Sequence, residues 1–178
     1  ISFIKSNLNI NGGITYSNTP SLINNFKNSA YSTNYTFGVV IASNISKELD
    51  FTIASINNFN SVENSYYKNN DRNYFINSSR IRLNWTIWNG IIFRTDLEYK
   101  YNGWYDNAEQ ANSYYWNFNI AKKIFANEQG EIRFSMFDIM NRTSNLQRTI
   151  TDTYIEDTNT NVLGRYMMLS FIYNLKAF

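Results

Sequence analysis

From Ile91 onward the odd positions of the chain read Ile91, Phe93, Thr95, Leu97, Tyr99 and Tyr101. The even positions read Ile92, Arg94, Asp96, Glu98, Lys100 and Asn102. A helix cannot sort such a pattern, because its side chains advance by about 100° per residue, whereas a strand sends successive side chains to opposite faces. One face is therefore apolar and the other carries four charges in succession. The preceding stretch agrees, with Ile81, Leu83, Trp85 and Ile87 on one side and Arg80, Arg82, Asn84 and Thr86 on the other. Between them, Trp88-Asn89-Gly90 suits a three-residue hairpin loop with Gly90 in the left-handed region. That loop sets Ile87 opposite Ile91, Trp85 opposite Phe93, Arg82 opposite Asp96 and Arg80 opposite Glu98, so that like faces like on both sides.

The same period of two recurs along the chain. It predicts eight strands, near residues 2–17, 31–45, 49–61, 73–88, 91–104, 112–125, 131–143 and 162–177. The connections alternate in length. Ser46 to Glu48, Trp88 to Gly90 and Ala126 to Gly130 are short, while Asn18 to Ala30, Val62 to Arg72, Tyr105 to Ala111 and Ser144 to Asn161 are longer and rich in Asn, Asp, Ser and Thr. Short turns at one end and long loops at the other are the arrangement of an outer-membrane barrel, with the short turns on the periplasmic side.

Composition narrows the class further. The chain has 178 residues, no Cys and no His, which removes thiolate and imidazole chemistry and the usual zinc sites. A formal charge of +2 spread along the chain does not make the clustered basic face of a nucleic-acid binder, so nucleic acid is not an expected partner. With 14 Tyr, 13 Phe and 4 Trp the chain is not disordered, and its abundance of Asn, Thr, Ser and aromatics disfavours helix. The longest apolar stretch, Phe37 to Ala42, is far short of a membrane-spanning helix. The chain opens Ile1-Ser2-Phe3-Ile4-Lys5, without an initiator Met or signal core, and is expected to be a mature or internal piece.

Both a soluble sandwich and a membrane barrel alternate, so strand length and the aromatics must separate them. Sandwich strands commonly run to about six residues, whereas these run to a dozen or more, enough to cross a bilayer at a tilt. Trp85 and Trp88 near one turn, and Tyr99, Tyr101, Trp104 and Tyr105 near a long loop, sit where an interfacial aromatic girdle is expected. The expected fold is thus all-β, an antiparallel up-and-down transmembrane barrel wall of eight strands. Its inward row comprises Lys5, Asn7, Asn9, Arg80, Arg82, Arg94, Asp96, Glu98 and Lys100.

The closing segments Glu131 to Asn141, Arg148 to Asp157 and Asn161 to Leu175 resemble the last strands of Bacteroidota outer-membrane β-barrel proteins related to TonB-dependent transporters. The resemblance covers about a quarter of the chain in motif and the rest in pattern. It implies that residues 1–178 form the C-terminal portion of a larger barrel, conventionally of 22 strands, preceded by a plug domain. It also implies recognition of the last strand by the barrel-assembly machinery through Phe171, Tyr173 and Leu175 and a terminal aromatic, Phe178. Phe178 is out of phase with that odd-numbered row, so a bulge or frayed end is expected near Lys176-Ala177. A second bulge is expected where Ile132, Phe134 and Met136 give way to Phe137 and Ile139.

Sites of chemistry are few. Asp152, Glu156, Asp157 and Asn159 offer hard oxygens, but not at EF-hand spacing, and read as a solvated acidic loop rather than a calcium site. Asp96 and Glu98 are paired carboxylates, as a glycosidase uses, yet three arginines nearby make ion pairing the better reading. Tyr66, Tyr67, Trp104, Tyr105, Tyr114 and Tyr115 would stack on sugar or anchor a lipoprotein, or else form the girdle, which is preferred. Sequons at Asn34, Asn44, Asn77, Asn84 and Asn141 matter only in a eukaryotic secretory route, and Gly12-Gly13 suggests a bulge or close approach.

No enzyme activity, cofactor or metal is expected. The expected role is a non-catalytic, transporter-like or surface-complex component of the Gram-negative outer membrane, with outer-membrane lipid, the assembly machinery and a surface lipoprotein or plug as partners. The competing readings are a self-contained eight-stranded structural or adhesive barrel and a secreted carbohydrate-binding sandwich.

Overall fold

The computed structural model describes residues 5–44, 46, 48–66, 68–105, 112–125, 128–142, 146–150, 155–161 and 163–175. Ten strands form. They are β1 (Ser6–Ile23), β2 (Phe26–Asn44), β3 (Leu49–Asn64), β4 (Arg72–Ile87), β5 (Ile91–Asn102), β6 (Asn112–Ile124), β7 (Gly130–Phe137), β8 (Leu146–Ile150), β9 (Ile155–Asn159) and β10 (Tyr166–Tyr173). Eight of them make one antiparallel up-and-down sheet in the order β1-β2-β3-β4-β5-β6-β7-β10, and β8 pairs with β9 in a separate hairpin. Among the described residues β1 pairs only with β2 and β10 only with β7, so the sheet has two open edges. No described helix is long and apolar enough to cross a membrane.

The β4–β5 hairpin follows the expected register residue for residue, from Ile87 opposite Ile91 to Arg80 opposite Glu98. Gly90 takes φ +73, the left-handed value that a three-residue loop needs at this position. The expected loop Asn18 to Ala30, by contrast, is largely strand. Here β1 runs on to Ile23 and β2 starts at Phe26, joined by Asn24-Asn25 at φ 50 and 68. A two-residue hairpin with both central residues left-handed is the turn that matches strand twist, and Asn tolerates that region better than most side chains. Pro20, inside β1, is compatible with pairing because β1 is an edge strand in this sheet.

Other differences are local. The expected loop from Ser144 to Asn161 contains the β8–β9 hairpin. The ladder is unbroken at Gly12 and Gly13, which face Phe37 and Thr36, so no bulge lies there. The close approach is instead at Gly38, where a Cβ would collide with the Asn11 amide. Strand β7 stops at Phe137, where the expected phase slip is found. Phe118 faces Met136, but further along Tyr114 faces Arg142, so four steps on β6 match six on the other side. The extra residues are taken up around Asp138 and Asn141, at φ 48 and 50. Buried Asp138 holds the kink: its carboxylate accepts from the Arg142 N–H at 3.2 Å, and its own N–H donates to Asn117 Oδ1 at 2.9 Å.

Register sorts the side chains into two unlike faces. One transverse row runs Leu8, Ile41, Ile53, Ile81, Leu97 and Trp116 across six strands. A second runs Leu49, Trp85, Phe93, Ile120, Phe134 and Leu169. The other face carries Asn7, Ala42, Thr52, Arg82, Asp96 and Asn117 in one row and Asn9, Val40, Ala54, Arg80 and Glu98 in the next. No described element lies as a second layer against either face, and Ile53, Ile81, Trp85 and Ile120 remain 43–46% exposed. The chain exposes 12602 Å², against about 9,000 Å² expected for a compact monomer of its 20.9 kDa. Only Ala30, Ile92, Tyr105 and Ala121 are buried hydrophobics among the described residues, so this sheet does not close over a core of its own.

The strands also step along one another. Partners traced from Met167 lead through Met136, Phe118, Thr95, Leu83, Phe51 and Ser43 to Ser6, the first residue of β1. The C-terminal strand is thus level with the beginning of β1 and not with its middle, the progressive stagger that tilted strands in a curved wall require. One polar island interrupts the apolar face. Ser55, Asn57, Asn77 and Ser79 bond to one another, with Ser55 Oγ to Ser79 Oγ at 3.0 Å and Asn77 Nδ2 donating to Asn57 Oδ1 at 2.8 Å. Asn77 Oδ1 in turn accepts from Ser79 Oγ at 2.9 Å.

Candidate functional site

The charged row is the densest chemistry on the sheet, and the β4–β5 register places it. Arg80 sits opposite Glu98 and Arg82 opposite Asp96, but the ion pairs run diagonally. Arg80 donates from Nε to Asp96 Oδ1 at 2.8 Å and from Nη2 to Oδ2 at 2.5 Å. This two-point clamp matches the fork of a guanidinium to the two oxygens of a carboxylate. Arg82 reaches the same Oδ2 only at 3.3 and 3.4 Å. Glu98 is held by Lys100, two residues along its own strand, at 3.0 Å. Arg80 and Arg82 are about half exposed, so in water each such pair contributes no more than ~1 kcal/mol.

Beside this lattice lies a depression of about 370 Å³, lined by Asp50, Arg82, Asn84, Arg94, Asp96 and Asn119 among others. Strand β3 delivers Asp50, opposite Asn84, and β5 delivers Arg94, opposite the same Asn84 on its other side. Asn84 joins the two: its Nδ2 donates to Asp50 Oδ2 at 3.0 Å, and its Oδ1 accepts from Arg94 Nε at 3.1 Å. Arg94 thereby holds a neutral partner and no carboxylate among the described residues. On β6, Asn119 faces Arg94 and carries a buried Oδ1 without a hydrogen-bond partner. From β3 to β6 the depression therefore presents the Asp50 carboxylate, then the Arg82 and Arg94 guanidinium groups, then the Asn119 carbonyl.

All six residues expected in the charged row, Arg80, Arg82, Arg94, Asp96, Glu98 and Lys100, share one face, and Asn7 and Asn9 lie in the same rows. Sequence reasoning did not single out Asp50 or Asn119, and gave Asn84 only as a polar-face position and a sequon. Their parity is correct for this face, but only the pairing of β3, β4, β5 and β6 shows that they adjoin Arg94. The paired carboxylates Asp96 and Glu98 are each bound to cations, the ion pairing expected of them.

The residues expected to be read by the assembly machinery lie at the β10 edge. Phe171 and Tyr173 share a face, exposed, with Phe125 edge-on to both at 6.4 and 6.0 Å, and Leu175 follows them. Phe178 and the bulge expected at Lys176-Ala177 lie outside the described residues. Of the loop aromatics, Tyr66 stacks on Phe26 at 4.9 Å, Trp104 meets Tyr74 edge-on at 4.7 Å, and Tyr105 is buried. Tyr114 and Tyr115 belong to β6, where Tyr114 packs on Tyr99 at 5.0 Å. Tyr67 and Asp152 lie outside the described residues, while Glu156 and Asp157 are exposed on β9.

Comparison with known proteins returns no matching family model, no matching curated protein and no matching solved structure.

Proposed function

We propose that this chain is part of the wall of a β-barrel in a Gram-negative outer membrane, with its apolar rows against lipid and its charged row toward a water-filled lumen. One observation carries the reading: the row Leu8, Ile41, Ile53, Ile81, Leu97 and Trp116 spans six strands with no layer over it among the described residues. An apolar face of this extent is not stable against water and must meet lipid or protein. The opposite face meets most of its polar demands through ion pairs and Asn ladders, as a hydrated lumen permits. Stagger between strands supplies the tilt of a barrel wall.

Backbone groups at the edges of β1 and β10 cannot remain unpaired in hydrocarbon, so further strands or mutual closure complete the ring. The resemblance of the closing segments to TonB-dependent transporter relatives of Bacteroidota favours further strands. On that reading the protein is a non-catalytic transporter or surface-complex component with a plug or lipoprotein partner, inserted by the barrel-assembly machinery. A self-contained eight-stranded structural or adhesive barrel is the second reading, favoured by the even count of eight strands in one up-and-down sheet.

Heat-modifiable gel mobility of the full-length protein, and its recovery in the outer-membrane fraction, test the barrel. Extraction as a soluble monomer without detergent contradicts it. The mass of the full-length protein separates the two barrels: hundreds of additional residues support the larger one, and a mature chain of this length supports the smaller.

A further inference from the structure

We infer that the depression between β3, β4, β5 and β6 is a station for a small zwitterion, the class to which free α-amino acids belong. The inference rests on the reading that this face lines an aqueous lumen. Its substance is charge complementarity on a short scale. Asp96 is already clamped by Arg80, which leaves Arg82, weakly held, and Arg94, bound among the described residues to a neutral amide, as the cationic groups. Across Asn84 lies the Asp50 carboxylate.

A carboxylate is bound by planar guanidinium forks, and an ammonium by a carboxylate. The two arginines answer the first need, and Asp50 answers the second. A simple anion would also face the Asp50 carboxylate, a repulsive contact. A simple cation would face both arginines. The volume of about 370 Å³ falls within the range of small-ligand sites. Two arginines against one unclamped carboxylate favour amino acids of net negative charge.

The experiment is equilibrium binding of radiolabelled glutamate to the full-length protein, with unlabelled glutamate, glutarate and 1,5-diaminopentane as competitors. Glutarate lacks the ammonium and the diamine lacks both carboxylates. Saturable binding in which glutamate competes at least about tenfold better than either supports the proposal. Asp50→Asn, which keeps the shape of the side chain, should weaken glutamate about tenfold and leave glutarate unchanged or improved. Arg94→Gln should weaken both, and Arg94→Lys should recover part of the loss. Absence of saturable binding, or equal competition by glutamate and glutarate with no effect of Asp50→Asn, overturns it. The lumen reading is tested apart from this by a cysteine at Ser78. If a water-soluble thiol reagent labels it and glutamate does not bind, the station alone is wrong. If only a lipid-soluble reagent labels it, the lumen reading fails and the station with it.

Discussion

Arg80 bypasses Glu98, the residue directly opposite it, and clamps Asp96 with two hydrogen bonds of 2.8 and 2.5 Å. One strand residue away, Leu97 faces Ile81 on the other side of the same two strands. Two adjacent positions thus sit in opposite environments, and the most direct mutational contrast lies between them.

Leu97→Arg places a charge in the middle of the apolar row, and a lipid-facing position at that depth costs about 2–4 kcal/mol. Asp96→Asn removes a carboxylate from half-exposed pairs and should cost less than about 1 kcal/mol, while changing ion conductance or plug contacts. Urea or guanidinium unfolding of the refolded protein in lipid vesicles reads both. Small, equal losses would contradict the assignment of faces.

Gly90 holds φ +73, and a Cβ there would lie 3.3 Å from the Lys123 Cβ. Gly90→Val should therefore destabilise the β4–β5 hairpin by about 1–2 kcal/mol, and Gly90→Asn by less. The same unfolding measurement ranks the two variants, and a harmless valine would mean that the turn relaxes into another form.

The island of Ser55, Asn57, Asn77 and Ser79 bonds mainly within itself, with Asn57 Nδ2 donating outward to the Phe37 carbonyl at 3.4 Å. Asn77→Leu alone strands its partners and should cost about 1–3 kcal/mol. Replacing all four with Ala or Leu should recover most of that loss in lipid, since no polar group is left to satisfy. A quadruple variant worse than the single one would show that the island contacts something polar outside the chain.

Much of this arrangement is legible in the sequence, for reasons that differ from place to place. The β4–β5 hairpin is readable because Gly90 fixes the loop and both flanking strands alternate cleanly, so one register satisfies both faces. The kink after β7 is readable because the apolar phase shifts at Phe137. The Asn24-Asn25 turn is hidden because asparagine fills about one position in six, and a turn signal made of the commonest residue is no signal. The depression is hidden for another reason: Asp50, Asn84, Arg94 and Asn119 come from four strands, and period-two patterning assigns a face without telling which residues on it are neighbours.

Asp138 supplies a last local test. At φ 48, with its carboxylate on the Arg142 N–H, it tolerates Asn or Gly better than a branched side chain. Asp138→Val should cost about 2–3 kcal/mol and Asp138→Asn less than about 1 kcal/mol, as read by thermal loss of the heat-modifiable form.

The alternation of environments can be read one residue at a time. This stretch has no cysteine, so single cysteines placed in turn from Phe93 to Glu98 carry a spin label without interference from neighbours. Collision with oxygen reports lipid, and collision with a water-soluble nickel complex reports water. A barrel wall requires oxygen access to peak at 93, 95 and 97 and nickel access at 94, 96 and 98. Nickel access that is equal along the whole run, with no period of two, would mean that neither face of the sheet meets lipid.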